Sequence, residues 1–169
     1  GDTINVQAVY TDGATRYNIQ NLASQYGAVS IYGSTGLAGA YQSVAMAAAP
    51  DTVFATGTQQ QAVQTWGMRG GFNHNWNAYW SSSLYGAYAA VSYNGTSKAL
   101  ICGNATWAVA TVTTCNPDYN IGQLGLVTRW TPVKNLTFSG DLIWQHIDQK
   151  NVGTLNAASG SVGKPAAVY

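Results

Sequence analysis

Apolar and polar side chains alternate with a period of two through several stretches of this chain, and that pattern constrains the fold more than any other feature. A period of two is the repeat of an extended strand whose faces meet different surroundings. In residues 2–11, Ile4, Val6, Ala8 and Tyr10 share one face, with Thr3, Asn5 and Gln7 on the other. From Gln60 onward, Ala62, Trp66, Met68 and Phe72 share a face, interrupted by Gln64 and Gly70, with Thr65 and Arg69 opposite. A turn is expected at Asn73-His74-Asn75. Trp76, Ala78, Trp80, Leu84 and Tyr88 then resume the apolar face, with Asn77, Tyr79, Ser81 and Ser83 opposite. Pairing Phe72 with Trp76 gives a short hairpin loop and keeps both rings on one face. In residues 119–130, Leu124, Leu126 and Trp130 oppose Gln123 and Arg129. A compact, proline-bearing turn is expected over residues 131–135. Beyond it Leu136, Phe138, Leu142 and Trp144 alternate with Thr137, Ser139, Asp141 and Gln145.

The connections between these strands alternate in length. The turns at 73–75 and 131–135 are short, whereas 12–58, 94–117 and 149–163 are long. The first long region holds an expected short strand near 28–32 and an alanine-rich patch, 38–49, that reads equally as helix or strand up to Pro50. A final partial strand is expected over 164–169. Short connections at one end of a sheet and long ones at the other mark a transmembrane β-barrel, with short periplasmic turns and long extracellular loops. A β-sandwich has no reason to sort its loops in this way. The expected fold is therefore all-β, one antiparallel barrel-type domain over residues 1–169.

Composition fits the same environment. Charged residues make up 8% of the chain, against about 25% in a typical soluble domain. Hydrophobic residues reach 46%, yet mean hydropathy is −0.06, because Asn, Gln, Ser, Thr and Gly fill the remainder. A lipid-facing barrel needs apolar residues outside, polar residues inside and aromatics at both interfaces. The chain holds 11 Tyr and 6 Trp, too aromatic for a disordered polar chain. No run of basic residues tracks a phosphate backbone, and the net charge of +1 gives no signal for nucleic acid. No apolar stretch is long enough for a transmembrane helix. A targeting segment, if the protein is exported, is expected outside this chain. On the four clearest strands the charges Arg69, Arg129 and Asp141 all fall on the polar face, where they avoid the cost of about 2–4 kcal/mol for Arg at the bilayer midplane. Phe72, Trp76, Trp80, Trp130 and Phe138 gather near the short turns, as an interfacial girdle would.

The strings Gly1-Asp2-Thr3-Ile4-Asn5-Val6-Gln7-Ala8-Val9-Tyr10, Trp66-Gly67-Met68-Arg69-Gly70-Gly71-Phe72-Asn73-His74-Asn75-Trp76 and Leu84-Tyr85-Gly86-Ala87-Tyr88 carry a family resemblance. So do Ala99-Leu100-Ile101-Cys102 and Trp130-Thr131-Pro132-Val133-Lys134-Asn135-Leu136-Thr137-Phe138. These resemble alphaproteobacterial porins of the rhizobial type over nearly the whole chain. The resemblance implies a general diffusion porin: a sixteen-stranded, homotrimeric barrel in the bacterial outer membrane, passing small hydrophilic solutes and ions, with outer-membrane lipid around it. It also implies a C-terminal portion that stops before the last strand. The loop that folds into the pore of such porins is then expected before this chain.

No catalytic or metal constellation emerges, and no cofactor is implied. Cys102 and Cys115 share one turn-rich stretch; an even count in an exported chain reads as a disulfide, with two separate thiols as the alternative. His74 reads as an interfacial turn residue and His146 as a residue at the base of a loop. No serine stands in a nucleophile elbow. Asn94-Gly95-Thr96, Asn104-Ala105-Thr106 and Asn135-Leu136-Thr137 fit a glycosylation pattern that is common in such chains; Asn94-Gly95 reads better as turn chemistry. Gly33-Ser34-Thr35-Gly36 lacks the Lys-Ser/Thr of a phosphate loop. The pore-lining candidates are Arg69, Arg129 and Asp141, which would set the field felt by ions, with Gln123 and Ser81 beside them; their alternative role is simply to be solvated. Besides the channel, two functions compete: a secreted or surface β-sandwich binding carbohydrate or protein, and a barrel with a plugged lumen.

Overall fold

A computed structural model describes residues 1–19, 29–33, 43–103, 111–154, 156–157 and 167–168. Among these, the alternating stretches form one antiparallel sheet. Its strands are β1 (Thr3–Asp12), β2 (Gln64–Asn75), β3 (Trp80–Ser92), β4 (Tyr119–Val133) and β5 (Leu136–Gln149), lying side by side in chain order. The register obeys the expected faces. Ile4 pairs with Phe72, Phe72 with Leu84, Leu84 with Leu126 and Leu126 with Leu142, so one apolar row crosses all five strands.

The first short turn lies beyond where the sequence reading puts it, and the second occupies only part of the expected stretch. β2 runs on through Asn75, and the first turn occupies residues 76–79. Asn77 causes the shift: its Oδ1 accepts hydrogen bonds from the Tyr79 and Trp80 amides at 2.8 and 3.0 Å. This is the Asx geometry that lets asparagine build a turn from its own side chain. Phe72 consequently pairs with Leu84 and not with Trp76. The faces survive because both pairings join even-numbered residues. The second turn is tighter than 131–135. β4 continues to Val133, which pairs with Leu136, leaving only Lys134 and Asn135 in the bend. Asn135 has φ +69°, a conformation asparagine tolerates better than most residues.

The long connections carry more structure than the sequence suggests. The expected loop at 94–117 contains a helix, α1 (Gly95–Cys102), and a strand, Thr111–Thr114. Asn94 starts the helix as its N-cap, with Oδ1 accepting from the Ser97 amide at 2.8 Å. Thr111–Thr114 pairs with Val152–Thr154, inside the region expected to be a loop. Of the expected last strand, 164–169, only Ala167–Val168 is described, paired with Asn156–Ala157. Val29–Gly33 pairs with Ser43–Ala47, so the described end of the alanine-rich patch is strand; residues 38–42 lie outside the described residues.

The core sits at the long-loop end of the sheet. Val63, Ala89, Val91, Tyr93 and Tyr119 are buried there with Ile19, Ala47, Ala49 and Ile101. Each fully buried valine stabilises by about 1.5–3 kcal/mol. Val91 and Tyr119 are odd-numbered and paired, so this core lies on the polar face. The connection between β1 and β2 therefore folds back over that face. Its strand Ser43–Ala47 reaches as far as β5.

Candidate functional site

The even-numbered face of the sheet holds large apolar residues that are exposed. Ile4, Val6 and Leu142 are 73%, 74% and 75% exposed. In a soluble protein so continuous an apolar surface would be unusual. Aromatics bound it at both ends. At the short-turn end Trp130 stacks between Trp80 and Phe138, at centroid distances of 5.7 Å on each side, and Trp76 meets His74 edge-on. At the long-loop end Trp66 and Tyr88 are 5.3 Å apart, with Tyr10 and Trp144 on the same face. The sequence reading names the first band and not the second, although Tyr10, Trp66, Tyr88 and Trp144 all have even numbers. From Trp80 to Tyr88 the strand runs about 26 Å at ~3.3 Å per residue, which a barrel tilt of about 35–45° projects to roughly 20 Å, of the order of the ~25 Å apolar band of outer-membrane barrels. Between the bands this face bears no charge. Asp12 and Asp148 share its parity but lie beyond it, at the long-loop end.

The odd-numbered face is polar, and the register brings every pore-lining candidate onto it. Arg69 and Gln123 fall in one transverse row: Gln7, Arg69, Ala87, Gln123 and Gln145 pair in turn across all five strands. Arg69 Nε donates to Gln7 Oε1 at 2.7 Å. Nearer the short turns, Ser81 pairs with Arg129, whose Nη1 donates to Ser83 Oγ at 3.0 Å. Among the described residues Asp141 forms no ion pair with either arginine and accepts from the Tyr85 hydroxyl at 3.0 Å to each oxygen. Among the described residues neither Arg69 nor Arg129 joins an ion pair, so both guanidinium charges face the open side of the sheet.

Tyr85 is a residue of this face that sequence reasoning passes over. Tyr85 leans across β4 above Gly125. A Cβ at that glycine would lie 2.2 Å from the Tyr85 Cζ atom, so the missing side chain makes the ring's seat. Gln7 was legible by its parity with Asn5 and Thr3; nothing in spacing alone marks Tyr85.

The inward-folded connection closes the long-loop side of this face. Asn18 Nδ2 donates to Thr65 Oγ1 at 2.6 Å and to the Val9 carbonyl at 3.4 Å. Gly67 permits that approach, since a Cβ there would meet the Tyr88 carbonyl at 2.7 Å and Asn18 Oδ1 at 2.9 Å. Asp51 clasps the connection to itself, accepting from the Thr15 amide at 2.8 Å, the Thr15 hydroxyl at 2.9 Å and Arg16 Nη2 at 3.2 Å. Burial pushes the Asp51 carboxyl up, but these hydrogen bonds outweigh it and hold the group below its ordinary value. The Tyr93 phenol, buried beside Asp118 and Tyr119, is held well above its ordinary value chiefly by that burial; its hydroxyl donates to the Ala48 carbonyl. Beneath the connection a hollow of about 410 Å³ is lined by Asn18, Gln7, Arg69, Gln123 and Gln145 among others.

Cys102 and Cys115 are joined by a disulfide, with Cα atoms 5.9 Å apart. It ties the end of α1 to the entry of β4. His74 lies in β2, not in a turn, with Nδ1 2.9 Å from the Asp2 carboxylate. His146 stacks on Trp144 at 5.9 Å. Among the described residues no group of three His, Cys, Asp or Glu could hold a metal ion, and no helix is long and apolar enough to cross a membrane. Asn104 and residues 34–36 lie outside the described residues. The family model described as the porin subfamily matches residues 1–168. No curated protein and no solved structure matches the chain.

Proposed function

The chain belongs to the porin family matched over residues 1–168, and from that premise we propose that it forms part of the wall of an aqueous channel in the bacterial outer membrane. The channel passes small hydrophilic solutes and ions by diffusion, without a cofactor and without catalysis. The observation that carries this reading is the division of one sheet into two surfaces. Its even face is apolar, uncharged between two aromatic bands, and suited to lipid. Its odd face is polar, holds Arg69, Ser81, Gln123, Arg129 and Asp141, and suits a water-filled lumen. Each backbone group left unpaired in lipid costs several kcal/mol, so the sheet closes on further strands, in a barrel of the sixteen-stranded class. In this reading the short turns are periplasmic and the disulfide-tied α1 region is extracellular. The connection between β1 and β2 narrows the lumen from that side, and the barrel assembles as a homotrimer of the rhizobial type.

Single-channel recording on the full-length protein in planar bilayers tests the proposal. Discrete ohmic steps are the expected result. A folded, membrane-inserted barrel that never conducts would replace the open channel with a plugged one. Arg69→Gln and Arg129→Gln together should shift the reversal potential in a salt gradient toward cation preference, because two positive charges leave the lumen field. An unchanged reversal potential would remove these residues from the pore wall.

A further inference from the structure

Resting on the channel reading above, we infer that the trough over Tyr85, Gln123, Gln145 and Arg69 is a binding station for an uncharged pyranose sugar. Four features of the wall converge there. First, Tyr85 leans over Gly125 and is held by its hydroxyl on Asp141. The ring lies against the wall at Gly125, it keeps part of its surface exposed, and among the described residues no other ring stacks on it. An aromatic face offered to solvent is an apolar platform, and the C–H face of a sugar ring is one of the few surfaces of a hydrophilic solute that fits it.

Second, the neighbouring row supplies matching polar groups. Gln123 and Gln145 are directly paired across β4 and β5. Each amide offers both donors and an acceptor, and a sugar hydroxyl also both donates and accepts. Third, Arg69 has spent its Nε on Gln7, which fixes the guanidinium and leaves its terminal N–H groups as donors. Ala87 between Arg69 and Gln123 keeps the floor of the row low. Fourth, the two charges nearest the trough, Arg69 on Gln7 and Asp141 on Tyr85, are opposite in sign, so the trough holds no net charge that would favour an ionic ligand over a neutral one. Two hollows of about 410 and 390 Å³ meet at Gln7, Arg69 and Ala87, which gives room for more than one ring along the wall.

The probe is maltose, added to the full-length channel in planar bilayers, with an ethylene glycol oligomer of equal mass as the control. Maltose should reduce the ion current saturably, with half-saturation in the millimolar range, while the oligomer reduces it without saturation. Tyr85→Leu should raise the half-saturation concentration about tenfold, as the loss of one aromatic contact of about 1.4 kcal/mol would. Gly125→Ala should do the same without removing any side chain of the trough, because its Cβ unseats the Tyr85 ring and hydroxyl. Maltose and oligomer acting alike would overturn the sugar station and leave the channel standing. Saturable block that neither variant shifts would remove it from this trough. A wild-type protein that does not conduct would overturn both readings together.

Discussion

At the scale of single residues, close approaches decide more than charges do. Gly67 is the clearest instance. Its missing side chain admits Asn18, whose Nδ2 ties the start of the β1–β2 connection to Thr65 and Val9. Gly67→Ala places a Cβ 2.7 Å from a backbone carbonyl that cannot turn aside. Overpacking of this kind costs about 1–3 kcal/mol. The variant should unfold at lower urea and conduct more, since the connection is lifted off the wall; unchanged conductance and stability would disprove the contact. Asp51 acts through pH. Its folded value is depressed, so the stability it contributes is present above the ordinary carboxylate range, near pH ~3.9, and is lost as pH falls through the depressed value. Amide exchange at Thr15 should be slower in wild type than in Asp51→Asn at neutral pH. The two should converge in acid. Equal exchange at neutral pH would show that the clasp does not hold the connection.

At the scale of elements, the turns and the capped helix show where local chemistry overrules periodicity. Alternation fixed which residues of β2 and β3 face together, but Asn77 chose the bend. Periodicity has no term for a side chain that accepts from the backbone two and three residues on. The bend at Lys134-Asn135 depends on the positive φ of Asn135. Asn135→Gly should be tolerated and Asn135→Val should cost roughly 1–2 kcal/mol, measured as the shift in the unfolding midpoint. Equal midpoints would mean that the bend relaxes. For α1, the signal was in the sequence: Asn94 heads Gly95-Thr96-Ser97 as an N-cap, a pattern that also reads as a turn. The disulfide at its far end closes a separation of 13 residues. A link across a loop of that size stabilises by about 3 kcal/mol in the chain-entropy account. Reduction should therefore speed amide exchange in α1 while leaving β3 and β4 unaffected. Peptide mapping without reductant should recover Cys102 and Cys115 as one linked pair, and free thiols would contradict the bond.

At the scale of the whole molecule, the sheet has two outer strands, β1 and β5. Among the described residues no strand pairs with their outer edges, and in the proposed membrane setting those edges call for more strands, because lipid offers no hydrogen bonds and an open edge in water invites association. About sixteen strands enclose an aqueous channel. Residues 1–169 expressed alone should neither conduct nor remain monomeric in detergent; a monodisperse, heat-resistant, conducting species would point to several copies closing one barrel. The two faces make a second prediction. Cysteines at positions 69, 81, 123 and 141 should react with a water-soluble thiol reagent in the intact channel, and those at 66, 80, 124 and 142 should not. Equal labelling of the two sets would break the assignment of faces.

Which residues share a face is written in the order of the amino acids. Parity is local and survives any even shift of register, so Leu124, Leu142, Arg69 and Asp141 could be sorted before any partner was known. The amino-acid order also determined the succession of short and long connections, since turn residues and apolar runs are written along the chain. Only the tertiary structure decided what crosses the sheet. That Gln7, Arg69, Gln123 and Gln145 stand in one row depends on four registers at once. That Tyr85 lies over Gly125 depends on a neighbour 40 positions away having no side chain. The return of the β1–β2 connection over the polar face depends on burying Ala47, Ala49 and Ile19 against Val91 and Tyr119. Such contacts are settled by packing between distant segments, and no repeat along the chain encodes them.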